Sequence, residues 1–176
     1  MCRFLQLKPP YVIASALHYI AEAEKCFNRY SKYLKDDFAP SNLESVILAK
    51  IPYFWFVLDK DNQFMGFVYL DNFVGNDFVN YSAELTTCFK PEAWGSFTGY
   101  SAKIFLKKCF DEFGLYKIRV LVYKDNSRTS ALIKKSGFKY ETTLHAETLR
   151  MGKMQDIDVY ALYRTYYYKD EVKNEQ

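Results

Sequence analysis

Three apolar segments with a period of two follow one another between residues 53 and 89, and only short polar stretches separate them. The segments span residues 53–58, 64–70 and 78–89. The stretch Asp59-Lys60-Asp61-Asn62 between the first two has the composition of a tight turn. Successive strands that are joined this closely pair as antiparallel neighbours. The pattern therefore predicts a three-stranded antiparallel meander.

A helix, a buried strand and a second helix follow the meander. The apolar face of the first helix recurs every three or four residues and comprises Ala102, Phe105, Leu106, Cys109, Phe110 and Phe113. Residues 118–123 are apolar on both faces, which is typical of a covered central strand. Asn126 suits the N-cap of the second helix, and Gly137 before Phe138 suits its C-terminal end. The strand–helix–strand succession predicts a βαβ unit, and residues 138–144 and 159–166 add two last strands.

The first fifty residues add one short strand and two helices. Residues 3–7 alternate as a strand does. An apolar stripe at helical spacing predicts a long helix after Pro10, and it comprises Ile13, Leu17, Ile20, Phe27 and Tyr30. Ser41 followed by Glu44 predicts a capping box at the start of the second helix. This order of elements predicts an α/β fold with a mixed, mostly antiparallel sheet and helices on both faces.

Length and charge narrow the class of protein. A chain of 176 residues fits one domain, which we place at residues 1–168 with a charged tail at 169–176. The net charge of +3 is too small for binding driven by a strong field, so no nucleic-acid partner is expected. No stretch reaches the ~18 apolar residues of a membrane span, and none has the pattern of a signal peptide. A cytoplasmic protein with no membrane partner is therefore expected.

The four cysteines do not predict a metal site. They stand at positions 2, 26, 88 and 109 without CxxC spacing, and both histidines lie apart from them. Cys88 has no His or Asp partner nearby in the sequence, so we interpret it as a packing residue rather than a nucleophile.

A turn of small residues before the helix of residues 102–113 is a candidate anion site. Helix N-termini expose unpaired N–H groups and carry partial positive charge, so they bind phosphate when small residues let it approach. The candidates are Gly95, Ser96, Thr98, Gly99 and Tyr100. Taken alone, such a turn is more often only a loop.

Two longer motifs give the turn a context. The first is Pro91-Glu92-Ala93-Trp94-Gly95-Ser96-Phe97, and the second runs from Asn126-Ser127-Arg128-Thr129-Ser130 to Gly137-Phe138. Over residues 50–166 the chain resembles the GNAT superfamily of acetyl-CoA-dependent N-acetyltransferases. Within it, the chain is most similar to the branch of ribosomal-protein alanine and spermidine N-acetyltransferases.

The resemblance implies a cofactor and a cleft. Acetyl-CoA would be the cosubstrate, and its pantetheine would lie where the third meander strand splays from the strand at 118–123. The pyrophosphate would lie on the helix N-terminus. The residues that the resemblance assigns to cofactor binding are Thr86, Thr87, Cys88, Phe89, Trp94, Gly95, Ser96, Phe97, Thr98, Gly99, Tyr100 and Asn126.

The resemblance also implies direct attack of an amine on the thioester, which involves two proton transfers. Glu84 is the first candidate for the base that deprotonates the amine, and Glu147 and His145 are the second choices. A charged residue on a solvated sheet edge is an equally good reading of Glu84. Thr129 or Ser130 could protonate the leaving thiolate, or both could be ordinary residues of a first helical turn.

Two departures from the family pattern leave alternatives open. Phe97 replaces a glycine of the phosphate loop, and Ile133 stands where many members carry a tyrosine acid. The alternative to an N-acetyltransferase is therefore a GNAT-like acyl-CoA-binding or regulatory module with weak or no turnover. The acceptor is either a protein or peptide N-terminus or a small amine, and a homodimer is left open. Acidic residues that could attract a cationic acceptor are Glu22, Glu24, Asp36, Asp37 and Glu44.

Overall fold

The computed structural model describes residues 1–9, 17–76 and 78–174. The strands in this part of the chain are β1 (Cys2–Gln6), β2 (Phe54–Asp59), β3 (Phe64–Gly75), β4 (Asn80–Phe89), β5 (Lys117–Tyr123), β6 (Lys139–Arg150) and β7 (Lys153–Tyr163). The helices are α1 (Leu17–Arg29), α2 (Ser31–Leu34), α3 (Leu43–Lys50), α4 (Ser96–Asp111), α5 (Ser127–Lys135) and α6 (Arg164–Asn174). None of the described helices is long and apolar enough to cross a lipid bilayer.

All seven strands belong to one sheet with the order β1-β2-β3-β4-β5-β7-β6. Every neighbouring pair is antiparallel except β4 and β5, which are parallel and are connected through α4. The sheet is therefore mixed and mostly antiparallel, which confirms the predicted fold class. The β6–β7 hairpin places its second strand next to β5 and leaves β6 at the sheet edge.

Both faces of the sheet are covered, because side chains of a strand alternate between its faces. In β2, Trp55 and Val57 belong to a core formed with α4, α5 and α6. Phe54, Phe56 and Leu58 belong to a second core formed with α1 and α3. Each of these five side chains is at most 1% exposed. The run of consecutive apolar residues in β2 therefore follows from burial on both faces of the sheet.

The start of α3 differs by one residue from the sequence prediction. Asn42 is the N-cap, and its side-chain oxygen accepts a hydrogen bond from the Ser45 N–H at 2.9 Å. The capping box on Ser41 was therefore wrong, because asparagine is an equally good cap and stands one residue closer to the helix. Residues 10–16, including Ile13 of the predicted first helix, lie outside the described residues.

The C-terminal elements also have different bounds from those predicted. β6 and β7 are longer than expected, and Met151 and Gly152 between them both have positive φ, of 54° and 70°. Such a two-residue turn matches the twist of a hairpin. Residues 164–166 begin α6 rather than end a strand, and this helix occupies much of the segment expected to be a tail. The Tyr167 hydroxyl anchors α6 by donating to the Lys103 carbonyl of α4 at 3.1 Å.

We predict that Asn42→Ala destabilises the protein by about 1 kcal/mol, because it leaves the Ser45 N–H of α3 without its cap. Ser41→Ala is the matched control and should change the free energy of unfolding by less than about 0.5 kcal/mol. Urea denaturation of both variants measures the difference. A larger loss in the Ser41 variant would contradict the assignment.

Candidate active site

The parallel pair β4–β5 is joined over only three residue pairs. These are Ser82 with Lys117, Ala83 with Ile118, and Glu84 with Arg119. Beyond them, residues 85–89 remain paired with β3 alone and residues 120–123 with β7 alone. The two inner strand edges therefore diverge, as the family resemblance implied, and between them lie backbone N–H and C=O groups that the β4–β5 ladder does not use and that an extended ligand can bind. We call this divergent part of the sheet the fork.

A cavity of about 700 Å³ occupies the fork. Its walls are the two diverging strands, α4 as far as Leu106, the length of α5, Tyr30 after α1, the segment 33–39 and β6, with single residues of β1, β3 and β7. Seven of the residues predicted for cofactor binding line it, namely Thr86, Thr87, Cys88, Phe89, Trp94, Thr98 and Asn126. The other five, Gly95, Ser96, Phe97, Gly99 and Tyr100, are at the start of α4 but do not line the cavity.

Glycine is required at the N-cap of α4. Gly95 has φ 96°, and its carbonyl accepts the Gly99 N–H at 3.0 Å. The N–H groups of Ser96, Phe97 and Thr98 precede the first intrahelical bond, so they are available to an anion. The Phe97 ring packs against the core that contains Trp55, so it does not narrow the cavity.

Three aromatic and basic side chains meet at the helix end of the fork. The Arg128 guanidinium carbon lies 3.5 Å from the centroid of the Trp94 ring, and the Tyr30 ring lies 5.9 Å from it. The Tyr30 hydroxyl is buried and has no hydrogen-bond partner in the described part of the chain. Sequence reasoning missed Arg128 and Tyr30 as residues of the site, although Arg128 lies inside the second motif.

Asn126 has one of its two expected roles in the fold. It is the N-cap of α5, and its side chain accepts the Thr129 N–H at 3.3 Å. Thr129 lines the cavity, whereas the adjacent Ser130 does not. Ile133 also lines it and belongs to the core. The cavity wall contributed by α5 therefore has a hydroxyl at Thr129 and an apolar group at Ile133.

The candidate bases occupy different surroundings. The Glu84 carboxylate accepts hydrogen bonds from Arg119 at 2.6 Å and Asn72 at 2.7 Å, and Glu84 does not line the cavity. This geometry favours the structural reading of Glu84, because the carboxylate joins β3, β4 and β5 at the closed end of the fork. His145 is 77% exposed and lies 3.2 Å from Asp156. Glu147 is the candidate that lines the cavity.

One side of the cavity is a roof made of the segment 35–38 and the β6–β7 hairpin. Both oxygens of the Asp37 carboxylate accept backbone N–H groups of the hairpin turn, from Met151 and Gly152, each at 2.8 Å. The Thr148 hydroxyl donates to Asp36 at 2.5 Å. These bonds hold together two segments that are more than a hundred residues apart in sequence.

Most of the acidic residues proposed for a cationic acceptor are engaged elsewhere. Glu22 pairs with Lys25 at 2.8 Å and Lys90 at 3.5 Å, and Glu24 accepts the Leu43 N–H at 3.1 Å. Asp36 is the member of that set that lines the cavity, together with Asp125 and Glu147, which sequence reasoning did not include in it. The negative charge near the cavity therefore lies at the roof and at the start of α5.

The family model of the acetyltransferase (GNAT) domain matches residues 10–139 of this sequence. The chain belongs to the GNAT acetyltransferase family. It is an N-acetyltransferase that uses acetyl-CoA as cosubstrate and acetylates an amine. No curated protein matches the chain significantly.

Solved structures share the fold. Spermidine N-acetyltransferase from Vibrio cholerae, in complex with CoA and spermine, is 21% identical with a TM-score of 0.74, over 95% of this chain and 98% of that one. A GNAT-family acetyltransferase from Bacillus anthracis is 14% identical with a TM-score of 0.70, over 92% of this chain and 94% of that one.

The residues of the fork fit acetyl-CoA. In the described part of the chain, the cavity runs between two strand edges that are not paired with each other and reaches the first turn of α4, whose N–H groups precede the first intrahelical bond. It also includes the Tyr30 hydroxyl, which has no hydrogen-bond partner among the same residues. Acetyl-CoA supplies a thioester whose acetyl carbon is open to attack by an amine. The extended arm would lie along β4 and β5, and the pyrophosphate would lie at the first turn of α4, with the Arg128 charge close by.

Acetyl-CoA is expected to raise the melting temperature of the protein, since it binds the folded state; at 100 times Kd the stabilisation is about 2.7 kcal/mol. Gly99→Leu should remove most of this shift. A Cβ on Gly99 meets no atom within 4 Å, so the variant should fold, but its side chain fills the approach to the α4 amides. Differential scanning fluorimetry with and without acetyl-CoA tests this.

Glu112→Leu, at the other end of α4, is the control and should keep the full shift. If the Gly99 variant keeps the wild-type shift in melting temperature, the first turn of α4 is not part of the cofactor site.

Proposed function

We propose that the acceptor of this N-acetyltransferase is a small polycationic amine of the polyamine type, rather than a protein N-terminus. The observation that carries the proposal is Glu147, whose carboxylate lines the cavity without an ion pair or hydrogen bond in the described part of the chain. Asp36 lies in the same roof. A ligand with two or more ammonium groups suits separated carboxylates, because each ammonium group can bind a different carboxylate.

The surroundings of these carboxylates support a slender aliphatic cation. Tyr33 and Phe38 line the cavity beside Asp36. Phe38 is 75% exposed, so it offers an apolar surface at the entrance. Aromatic faces attract ammonium groups while methylene segments pack on them. The Vibrio cholerae enzyme that shares this fold was solved with spermine, which agrees with such an acceptor.

The proposal assigns the deprotonation step to Glu147 rather than Glu84. An amine is mostly protonated at neutral pH and must lose a proton before it attacks. Glu147 can accept that proton directly or through a water, since it lines the cavity. Glu84 is held by Arg119 and Asn72 at the closed end of the fork.

The test is a panel of amines in a thiol-release assay with acetyl-CoA. Spermidine and spermine should have kcat/KM values at least tenfold above those of a monoamine or an N-terminal peptide. Glu147→Gln should lower kcat/KM for spermidine by at least about tenfold, since a neutral amide neither pairs with the cation nor takes its proton. The melting shift with acetyl-CoA should stay at the wild-type value.

Glu84→Gln is the matched control and should retain kcat/KM within about threefold, because its main effect is loss of a partly buried ion pair. A Glu84 variant that loses activity across the pH range while the Glu147 variant retains it would reverse the assignment. Acetyl-CoA binding without turnover on any amine would favour the binding-module alternative.

For the leaving thiolate, we propose that Thr129 rather than Ser130 supplies the proton, directly or through water. Thr129 lines the cavity, and Ile133 cannot donate. Thr129→Val should reduce kcat for spermidine by about 3- to 100-fold. This is below the ~10²–10⁴-fold of a required acid, because a thiolate leaves readily.

Ser130→Ala should leave kcat unchanged. Equal losses in both variants, with unchanged melting temperatures, would argue against a specific role for Thr129.

A further inference from the structure

Two cysteines that the transfer reaction does not use lie in contact, and one of them, Cys88, is part of the cavity wall. The sulfur of Cys26 on α1 is 3.2 Å from the sulfur of Cys88 on β4, although the residues are 62 positions apart. Both are free thiols and each is 5% exposed. The sequence predicted Cys88 as an inert packing residue, and it could not show that a second thiol faces it.

The surroundings of this pair differ from those of the other two cysteines. Cys88 lines the cavity, so a small solute in the fork can reach Cys88 and, in contact with it, the sulfur of Cys26. Cys109 is fully buried in the core on the other face of the sheet, and burial raises the pKa of its thiol. Cys2 is half-buried on the edge strand β1.

Charge and hydrogen bonding shift the pKa values of the two thiols in opposite directions. The hydrogen bond from Cys88 lowers the pKa of the Cys26 thiol, and the positive charges of Lys90 and Arg29 act in the same direction. The same bond and burial raise the pKa of Cys88. The positive charges of Lys90 and Arg29 therefore favour the thiolate at Cys26, and the thiolate is the reactive form of cysteine.

We propose that Cys26 and Cys88 are a redox-modification site that forms a reversible disulfide when peroxide enters the cavity. A disulfide needs a sulfur–sulfur distance of about 2.05 Å, so the two sulfurs must approach by only about 1 Å. The bond would fasten the C-terminal part of α1, next to Tyr30, to the cofactor strand β4.

The reaction is balanced with peroxide as the oxidant. The Cys26 thiolate attacks one peroxide oxygen, the O–O bond breaks, and the released hydroxide takes a proton from solvent to give water. The Cys88 sulfur then attacks the sulfenic sulfur of Cys26, and its proton leaves with the hydroxyl as a second water. The two thiols lose two electrons in total, and the peroxide gains them. A dithiol reductant reverses the modification.

Bound acetyl-CoA should protect the pair, because it would fill the cavity that leads to Cys88. The expected protection depends on the cofactor site proposed above. Disulfide formation without acetyl-CoA does not depend on that site, so the experiment can contradict the protection and the disulfide separately.

The experiment treats the full chain with hydrogen peroxide, alkylates the remaining thiols and maps the digested peptides by mass spectrometry without reduction. The expected product is one cross-linked peptide containing Cys26 and Cys88, with both hydrogens lost and with full recovery of the thiols on reduction. Saturating acetyl-CoA should slow its formation at least fivefold. Cys2→Ser and Cys109→Ser should form the same cross-link at the wild-type rate.

Cys26→Ser and Cys88→Ser should form no cross-linked peptide, and Cys26→Ser should leave Cys88 open to alkylation. Mapping of the wild-type protein decides the question even if a variant fails to fold. Recovery of both Cys26 and Cys88 as alkylated or singly oxidised thiols, or a cross-link through Cys2, would overturn the proposal. Equal rates with and without acetyl-CoA would overturn the protection while leaving the disulfide.

Discussion

The short parallel ladder between β4 and β5 is the constraint on which the rest of the structure depends. Three residue pairs join the two strands. Beyond them, β4 is paired with β3 alone and β5 with β7 alone. Buried backbone groups without partners cost about 1–3 kcal/mol each, so a fork of this kind persists only where water or a ligand reaches the inner edges. The cavity provides that access. The Glu84–Arg119 ion pair is at the last joined position and therefore marks where the sheet begins to open.

The roof of the cavity is built in a different way, from segments that carboxylates hold together. Asp37 binds the turn at Met151 and Gly152, and Arg150 pairs with both oxygens of Asp125, at 3.1 and 3.2 Å. The Arg150 guanidinium also lies 4.3 Å from the Tyr123 ring. The hairpin is thereby fixed to β5 and to the segment after α2. Among the residues that the structure describes, none pairs with the Glu147 carboxylate, so the roof carries a negative charge that these bonds do not use.

Much of the fold could be predicted from the sequence, because apolar residues that recur every two or every 3.6 positions indicate which face of a strand or a helix is buried. The predicted ends of α5 were also confirmed. Asn126 caps α5, and the helix ends with Gly137 at φ 90°, whose N–H binds the Lys134 carbonyl, while the Phe138 N–H binds that of Ile133. Pairings between distant segments could not be predicted. The ion pair of Glu84, the contact of Cys26 with Cys88 and the bond of Thr148 to Asp36 join residues 35, 62 and 112 positions apart.

The two departures from the family pattern have different consequences for the site. A helix N-terminus binds an anion through its amides, so the side chain matters only where φ is positive or where a Cβ would enter the cleft. The position with positive φ is Gly95, which is retained, and the Phe97 ring turns into the core. That departure therefore adds apolar packing and leaves the amides free. Ile133 is different, because the family resemblance implies a tyrosine donor at this position and the chain has a buried aliphatic group there that lines the cavity. The step concerned is protonation of the leaving thiolate, and a thiolate is a stable leaving group near neutral pH. A protonated amine, in contrast, must lose a proton before it attacks.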